Sequence, residues 1–195
     1  MELIYPASGA PFLPRPTYKN PGDFIPMEGE RVPVVEPSGE VIGQTTRVYA
    51  HSGSRLLHPT VHLHILDREG RIFLQKRAAT KELYPLRWDT AVAGHVIYRE
   101  SILDALWREA EEEMGLTQFN PIFLRSYVYD NRKERELVSV FACIGNFSLT
   151  PNPDEVEDAR WWAFDEVTRH LRRSQFTRLF EKQFPSIKDS LIALL

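Results

Sequence analysis

Between Gly94 and Leu116 the chain carries a loop and a helix whose residue spacing leaves little freedom for what surrounds them. Ser101 has the chemistry of an N-cap, Leu103, Leu106, Ala110 and Met114 recur at helical spacing, and Gly115 stands where a left-handed residue ends a helix. The last turns read Arg108-Glu109-Ala110-Glu111-Glu112-Glu113. At about 100° per residue, Glu109, Glu112 and Glu113 share one sector of about 100°. Like charges so placed each cost ~0.2–0.5 kcal/mol, and acids near a helix C-terminus also oppose the macrodipole. No lysine lies beside them in the helix. A hard divalent cation such as Mg²⁺ or Mn²⁺ reverses the sign of that repulsion, because it prefers several carboxylate oxygens with water and phosphate.

The flanking segments read as hairpins. Thr60-Val61-His62-Leu63-His64-Ile65-Leu66 alternates, Asp67-Arg68-Glu69-Gly70 turns, and 71–77 returns. Residues 123–129 and 137–144 form a second pair, joined by the polar stretch 130–135. Trp161-Trp162-Ala163-Phe164 reads as a short strand running into a helix over 165–172, and a last amphipathic helix runs from Ser174 onward, interrupted at Pro185. Hairpins with intervening helices indicate a mixed sheet with helices packed on its faces. His62 and His64 alternate on one side of a strand and read as sheet-face residues, and Trp88 as a core or loop anchor.

The 195 residues, 24 basic and 27 acidic, read as one globular domain over 35–195 preceded by an arm over 1–34. Eight of 14 prolines lie in the first 37 residues, which favours an extended or turn-rich arm, spaced with Phe12, Leu13, Phe24 and Ile25. That arm is the element to watch for an exchanged contact in a homodimer. A net charge of −3 argues against nucleic acid held by bulk charge. No apolar run suggests a membrane span or a signal peptide, and the single cysteine, Cys143, suits a reducing, cytoplasmic setting.

From Gly94 through Glu100, Arg108-Glu109, Glu112-Glu113 and Gly115-Leu116, the spacing resembles the Nudix box, with all seven fixed letters present. The resemblance implies an α/β fold, a Nudix-type α/β/α sandwich with a central mixed β-sheet, and a hydrolase for substrates in which a diphosphate is linked to another moiety. It also implies that Glu109, Glu112 and Glu113 bind Mg²⁺ or Mn²⁺, helped by the backbone carbonyl near Gly94. Glu100 and Arg108 are implied to tie loop to helix.

The segments 36–43, 50–58, 83–89 and 91–96 resemble the Nudix branch related to type I isopentenyl-diphosphate isomerase. In that isomerase three histidines and two glutamates hold a metal, and the matching positions here are His51, His58, His95, Glu134 and Glu136. The isomerase also uses a cysteine just before the glycine-histidine pair to move a proton at carbon. Here that position is Ala93, which cannot titrate, and Cys143 lies in a different strand.

These readings converge on a divalent-metal-dependent hydrolase that cleaves a phosphoanhydride bond in a nucleoside diphosphate or related diphosphate derivative. Glu113, Glu112 or Glu136 activates water, and Arg77, Arg87 and His95, with Lys76 nearby, contact the small-molecule diphosphate substrate. Glu155 and Glu157 are candidates for an extra acid. The rivals are an isopentenyl-diphosphate isomerase with a different acid-base set, and a Nudix fold that binds nucleotides without turnover.

Overall fold

A computed structural model describes residues 29–195. The greater part of the proline-rich arm, residues 1–28, lies outside the described residues, and the last positions assigned to it enter strand β1 (Arg31–Val35). Among the described residues this strand pairs only with β2 (Val41–Thr46) as a two-stranded sheet, an arrangement in which Pro33 is tolerated.

A one-turn helix, α1 (Arg47–Tyr49), is capped by the Thr46 side chain and runs into a π-helical turn over Ala50–Ser54. Strand β3 (Leu57–Leu66) then enters the main sheet and is buried along all ten residues. It is followed by β4 (Arg71–Arg77), β5 (Trp88–Thr90), β6 (Val92–His95), α2 (Ile102–Met114), β7 (Ile122–Asp130), β8 (Arg135–Ile144), β9 (Val156–Ala163), α3 (Phe164–His170) and α4 (Arg178–Ile192). The strand order is β5-β4-β3-β8-β7, with β6 added to β3 and β9 to β4. The β3–β8 pair is parallel and the others are antiparallel, so the sheet is mixed.

Each sheet face has its own core. Val61, Leu63 and Ile65 of β3 pack with Leu106, Ala110 and Met114 of α2. Leu66, Ile72, Val138 and Val140 pack with Phe180, Phe184, Ile187 and Leu191 of α4. The result is the expected α/β/α sandwich. Within α2, Ser101 Oγ accepts from Asp104 N–H (3.1 Å), and Gly115 closes the helix at φ 61°.

The C-terminal helix departs from expectation. It starts at Arg178, behind the Thr177 cap, and continues through Pro185. Pro185 is exposed, so the carbonyl left without its donor faces water while the apolar face keeps the helix seated. The strand expected at Trp161–Phe164 is longer, because β9 pairs with β4 from Val156 onward, and Phe164 already belongs to α3. Trp88 is a packing residue, 5.1 Å from Trp162 ring to ring. Among the described residues no helix is long and apolar enough to cross a membrane.

Candidate active site

The cavity arises from a split in the sheet. Strand β3 pairs with β4 only at Ile65 and Leu66, and over Thr60–Leu63 it takes β6 instead. Residues of the diverging strands, among them Gln75 and Arg77 of β4 and Gly94 and His95 of β6, line a cavity of about 450 Å³. Two clusters of metal-ligating side chains open into it.

The first is carried by α2. Glu113 is buried and accepts a hydrogen bond from Gln75 Nε2 (2.6 Å). Burial, with Glu109 beside it, pushes its carboxyl up to about 8. Burial also raises Glu109, against the opposing effect of Arg108. A Cβ placed on Gly94 would sit 1.8 Å from the carboxyl carbon of Glu109, so the glycine is what admits that carboxylate to the loop. Gly94→Ala is therefore expected to displace Glu109 and weaken Mg²⁺ activation by more than about ten-fold, read from the metal dependence of turnover. An unchanged activation constant would refute this.

Arg108 explains how the acidic face is tolerated. Its guanidinium donates to Glu109 (2.8 Å) and Glu112 (3.1 Å), grips Glu100 through two bonds of 2.8 and 2.9 Å, and reaches the His95 carbonyl at 2.8 Å. The hydrogen bonds to Glu100 are the main reason its pKa is raised. Glu100 also accepts from Ile97 N–H (2.9 Å), which ties loop to helix. The side chain of Glu112 is 57% exposed and stands at the cavity rim.

The second cluster joins four elements. His51 comes from the π-helical turn, His58 from β3, His95 from β6 and Glu136 from β8, and their ligand atoms lie within 4.8 Å of one another. His51 Nδ1–H donates to Glu134 (2.5 Å) and His58 Nδ1–H to the Leu56 carbonyl (3.0 Å), which turns both Nε2 atoms inward. His51 Nε2 lies 2.8 Å from His95 Nε2, and the buried His58 Nε2 has no partner among the described residues. Imidazoles held by a carboxylate or carbonyl at one nitrogen and free at the other are typical metal ligands. The donors fit a first-row divalent ion, while the α2 carboxylates fit Mg²⁺ or Mn²⁺.

Burial lowers His58 to about 4 and His95 well below its ordinary value, with Arg47 contributing to the latter. Burial raises Glu136 to about 8. It would raise Glu134 too, but hydrogen bonds from His51 and Asn131 hold that carboxyl below its usual range.

These shifts set the stability of the chelated protein. His58 and His95 bind fewer protons folded than unfolded, so their contribution is full above ~6.5 and is lost as pH falls. Glu113 and Glu136 bind more protons folded, so theirs is full below ~4.5 and is lost as pH rises through about 8. The two pairs cancel between pH ~4.5 and ~6.5, so in EDTA the thermal midpoint should be level there and fall by ~5 °C toward pH ~8.5, and saturating Mn²⁺ should abolish that fall. A midpoint that climbs to pH ~8.5 in EDTA would sink this account.

Of the other residues singled out in the sequence, Arg77 lines the cavity, held by a bond from its Nε to the Leu83 carbonyl (3.0 Å). Arg87 and Lys76 stand outside the lining, and the Arg87 carbonyl accepts from Arg77 N–H (2.9 Å). Glu155 lines the cavity and contacts Lys81 Nζ, whereas Glu157 is exposed on β9. His64 is sealed inside the α4-facing core, but His62 reaches the cavity. Lys81, Gln75, Asp89 and Thr60 also line it without having been singled out. The sequence signal for Gln75 and Thr60 was only their place among alternating strand residues.

An α/β/α sandwich with helix-borne carboxylates facing a glycine loop across one cavity defines the Nudix fold class. The chain belongs to the NUDIX domain family, whose model matches residues 56–183. It is 34% identical over 146 residues to the isopentenyl-diphosphate Delta-isomerase of Brevibacterium linens, covering 71% of this chain and 79% of that one. It is 29% identical to the uncharacterized Nudix hydrolase YfcD of Salmonella typhi, covering 76% and 79%. The crystal structure of DR0079 from Deinococcus radiodurans superposes with a TM-score of 0.67 at 19% identity, covering 85% of this chain and 98% of that one.

Proposed function

We propose that the protein is a divalent-metal-dependent hydrolase that cleaves a phosphoanhydride bond in a nucleoside diphosphate or related diphosphate derivative. The observation that carries this reading is the complete carboxylate set of α2 opening beside Arg77 and Lys81, in a cavity where the position before Gly94-His95 is the non-titrating Ala93.

Glu109, Glu112 and Glu113, with the Gly94 carbonyl, would hold Mg²⁺ or Mn²⁺. When bound, the metal neutralises diphosphate charge and lowers the pKa of water. Arg77 and His95 contact the phosphates and Lys81 joins them from the next loop, while Arg87 stands outside the cavity lining. Glu113, Glu112 or Glu136 takes the proton from the attacking water. A bound divalent ion would favour the carboxylate form that a base needs, against the burial that raises Glu113 and Glu136 in its absence. We place the protein in the cytoplasm and propose that it forms a homodimer.

A second reading, isomerisation of isopentenyl diphosphate, is favoured by the His51, His58, His95 and Glu136 cluster and by the relatives that carry that name. One experiment separates the two. The protein is incubated with a panel of nucleoside and prenyl diphosphates in Mg²⁺ or Mn²⁺, in D₂O, with phosphate release and carbon-bound deuterium both measured. Hydrolysis predicts release without deuterium uptake, and the reverse pattern establishes the isomerase.

A further inference from the structure

Strand β7 ends the sheet order, and no strand pairs with its outer edge among the described residues. Which of its backbone groups face outward follows from the turn that joins it to β8. Asn131 N–H donates to the Glu134 carbonyl (3.1 Å), and hydrogen-bonded and non-hydrogen-bonded pairs alternate along an antiparallel ladder. Arg125, Tyr127 and Tyr129 therefore bond to Val140, Val138 and Glu136 of β8, whereas Ser126, Val128 and Asp130 direct N–H and C=O away from the sheet. All three are exposed.

Exposed edges are ordinarily blunted by proline, lysine or a bulge. The register of β7 is irregular between Phe123 and Arg125, but the stretch Arg125-Ser126-Tyr127-Val128-Tyr129-Asp130 beyond it has no proline, glycine or lysine. Arg125, Tyr127 and Tyr129 share the face covered by α4, where Gln183 Nε2 donates to Tyr127 Oη (3.1 Å). A recess of about 360 Å³ lies between this edge and α4. Arg125 Cζ stands 5.4 Å from the Tyr127 ring centroid and Lys182 Nζ 5.0 Å from that of Tyr129, and neither cation has an acidic partner among the described residues. Asp130, the carboxylate of the recess, is already held by Arg55 (2.9 Å) and Arg135 (3.2 Å).

We propose that the β7 edge is a docking site for an extended acidic segment of a partner protein, which adds to the sheet as a further strand beside Ser126, Val128 and Asp130. The outward amides and carbonyls supply main-chain hydrogen bonds that any sequence can make, and the cations supply the selection. Residues two apart in the added strand share a face at a spacing of ~7 Å, so acids at alternate positions all stand on the α4 side, beside Arg125 and Lys182. A second copy of β7 would bring its own Arg125 and Lys182 to the same edge, and like charges disfavour that pairing. Docking here is independent of which diphosphate reaction the cavity carries out.

The test is binding of two fluorescein-labelled hexapeptides, one alternating Thr and Glu and one alternating Thr and Lys, to the full chain, followed by anisotropy and by amide hydrogen exchange. The Thr-Glu peptide should bind with a Kd below about 1 mM and at least about ten-fold more tightly than the Thr-Lys peptide. At saturating Thr-Glu peptide, exchange at the Ser126, Val128 and Asp130 amides should slow by at least about five-fold, which charge attraction without strand addition does not produce. Val128→Pro removes an outward donor that β8 does not use, so the fold is kept and the affinity should drop by about ten-fold. Arg125→Ala combined with Lys182→Ala should bring the two peptides within about three-fold of each other. If Val128→Pro does not fold, amide exchange in the parent carries the test. Equal affinity for both peptides, binding of neither, or unchanged exchange at these amides overturns the docking site. A concentration-dependent dimer of the parent, seen in sedimentation and lost in Val128→Pro, would put a second copy at this edge and overturn the acidic partner.

Discussion

Glu113→Gln lowers the turnover of the best diphosphate substrate by about 10²–10⁴-fold while the protein stays folded. The amide has nearly the volume of the carboxyl and can still accept the bond from Gln75 Nε2, so the packing of α2 against the sheet is retained. What it lacks is the negative charge and the basicity that metal binding and proton abstraction need. Because burial penalises the Glu113 carboxylate, the chelated variant should be as stable as the parent or more stable at pH ~8. Turnover, magnesium titration and thermal midpoint measured together decide the matter. Activity within three-fold of the parent would remove Glu113 from the site, and a collapsed midpoint would make its role structural.

Phe180→Ala should cost about 3–5 kcal/mol of stability, or ~10 °C in thermal midpoint. Phe180 is fully buried, with ring centroids 4.9 Å from Phe176 and 5.4 Å from Phe184, so truncation opens a cavity in an aromatic stack rather than at an edge. The same helix carries Gln183, which braces His62 and His64, and Thr177 and Leu179 at its start line the cavity. The loss should therefore appear in substrate affinity as well as in a urea titration. A change below about 1 kcal/mol would mean that α4 is not the cover of that sheet face that its packing implies.

Local chemistry was readable wherever it stayed local. The Ser101 cap, the apolar face of α2, the stop at Gly115 and the β7–β8 hairpin each have a local stereochemical cause, whereas the hairpin expected over 60–77 pairs only at Ile65 and Leu66. Proline at 185 misled because a rule about backbone donors says nothing of how firmly Phe180, Phe184, Ile187 and Leu191 hold the helix on both sides of it. The neutralisation of the acidic face was half visible. Arg108 sits in the motif, but its reach to Glu109, Glu112 and Glu100 together depends on how the loop after β6 folds back.

By itself the sequence determined the carboxylate helix, its glycine partner and the family, because a motif confined to 23 residues carries its own geometry. It determined the residue types at 51, 58, 95 and 136, and through resemblance their grouping. Only the tertiary structure decided that the sheet splits between β4 and β6, that one cavity receives side chains from both of its faces, and that Thr60, His62 and Asp89 line it. Strand pairing at long range sets those positions, and no local spacing encodes which backbone a strand will leave and which it will join.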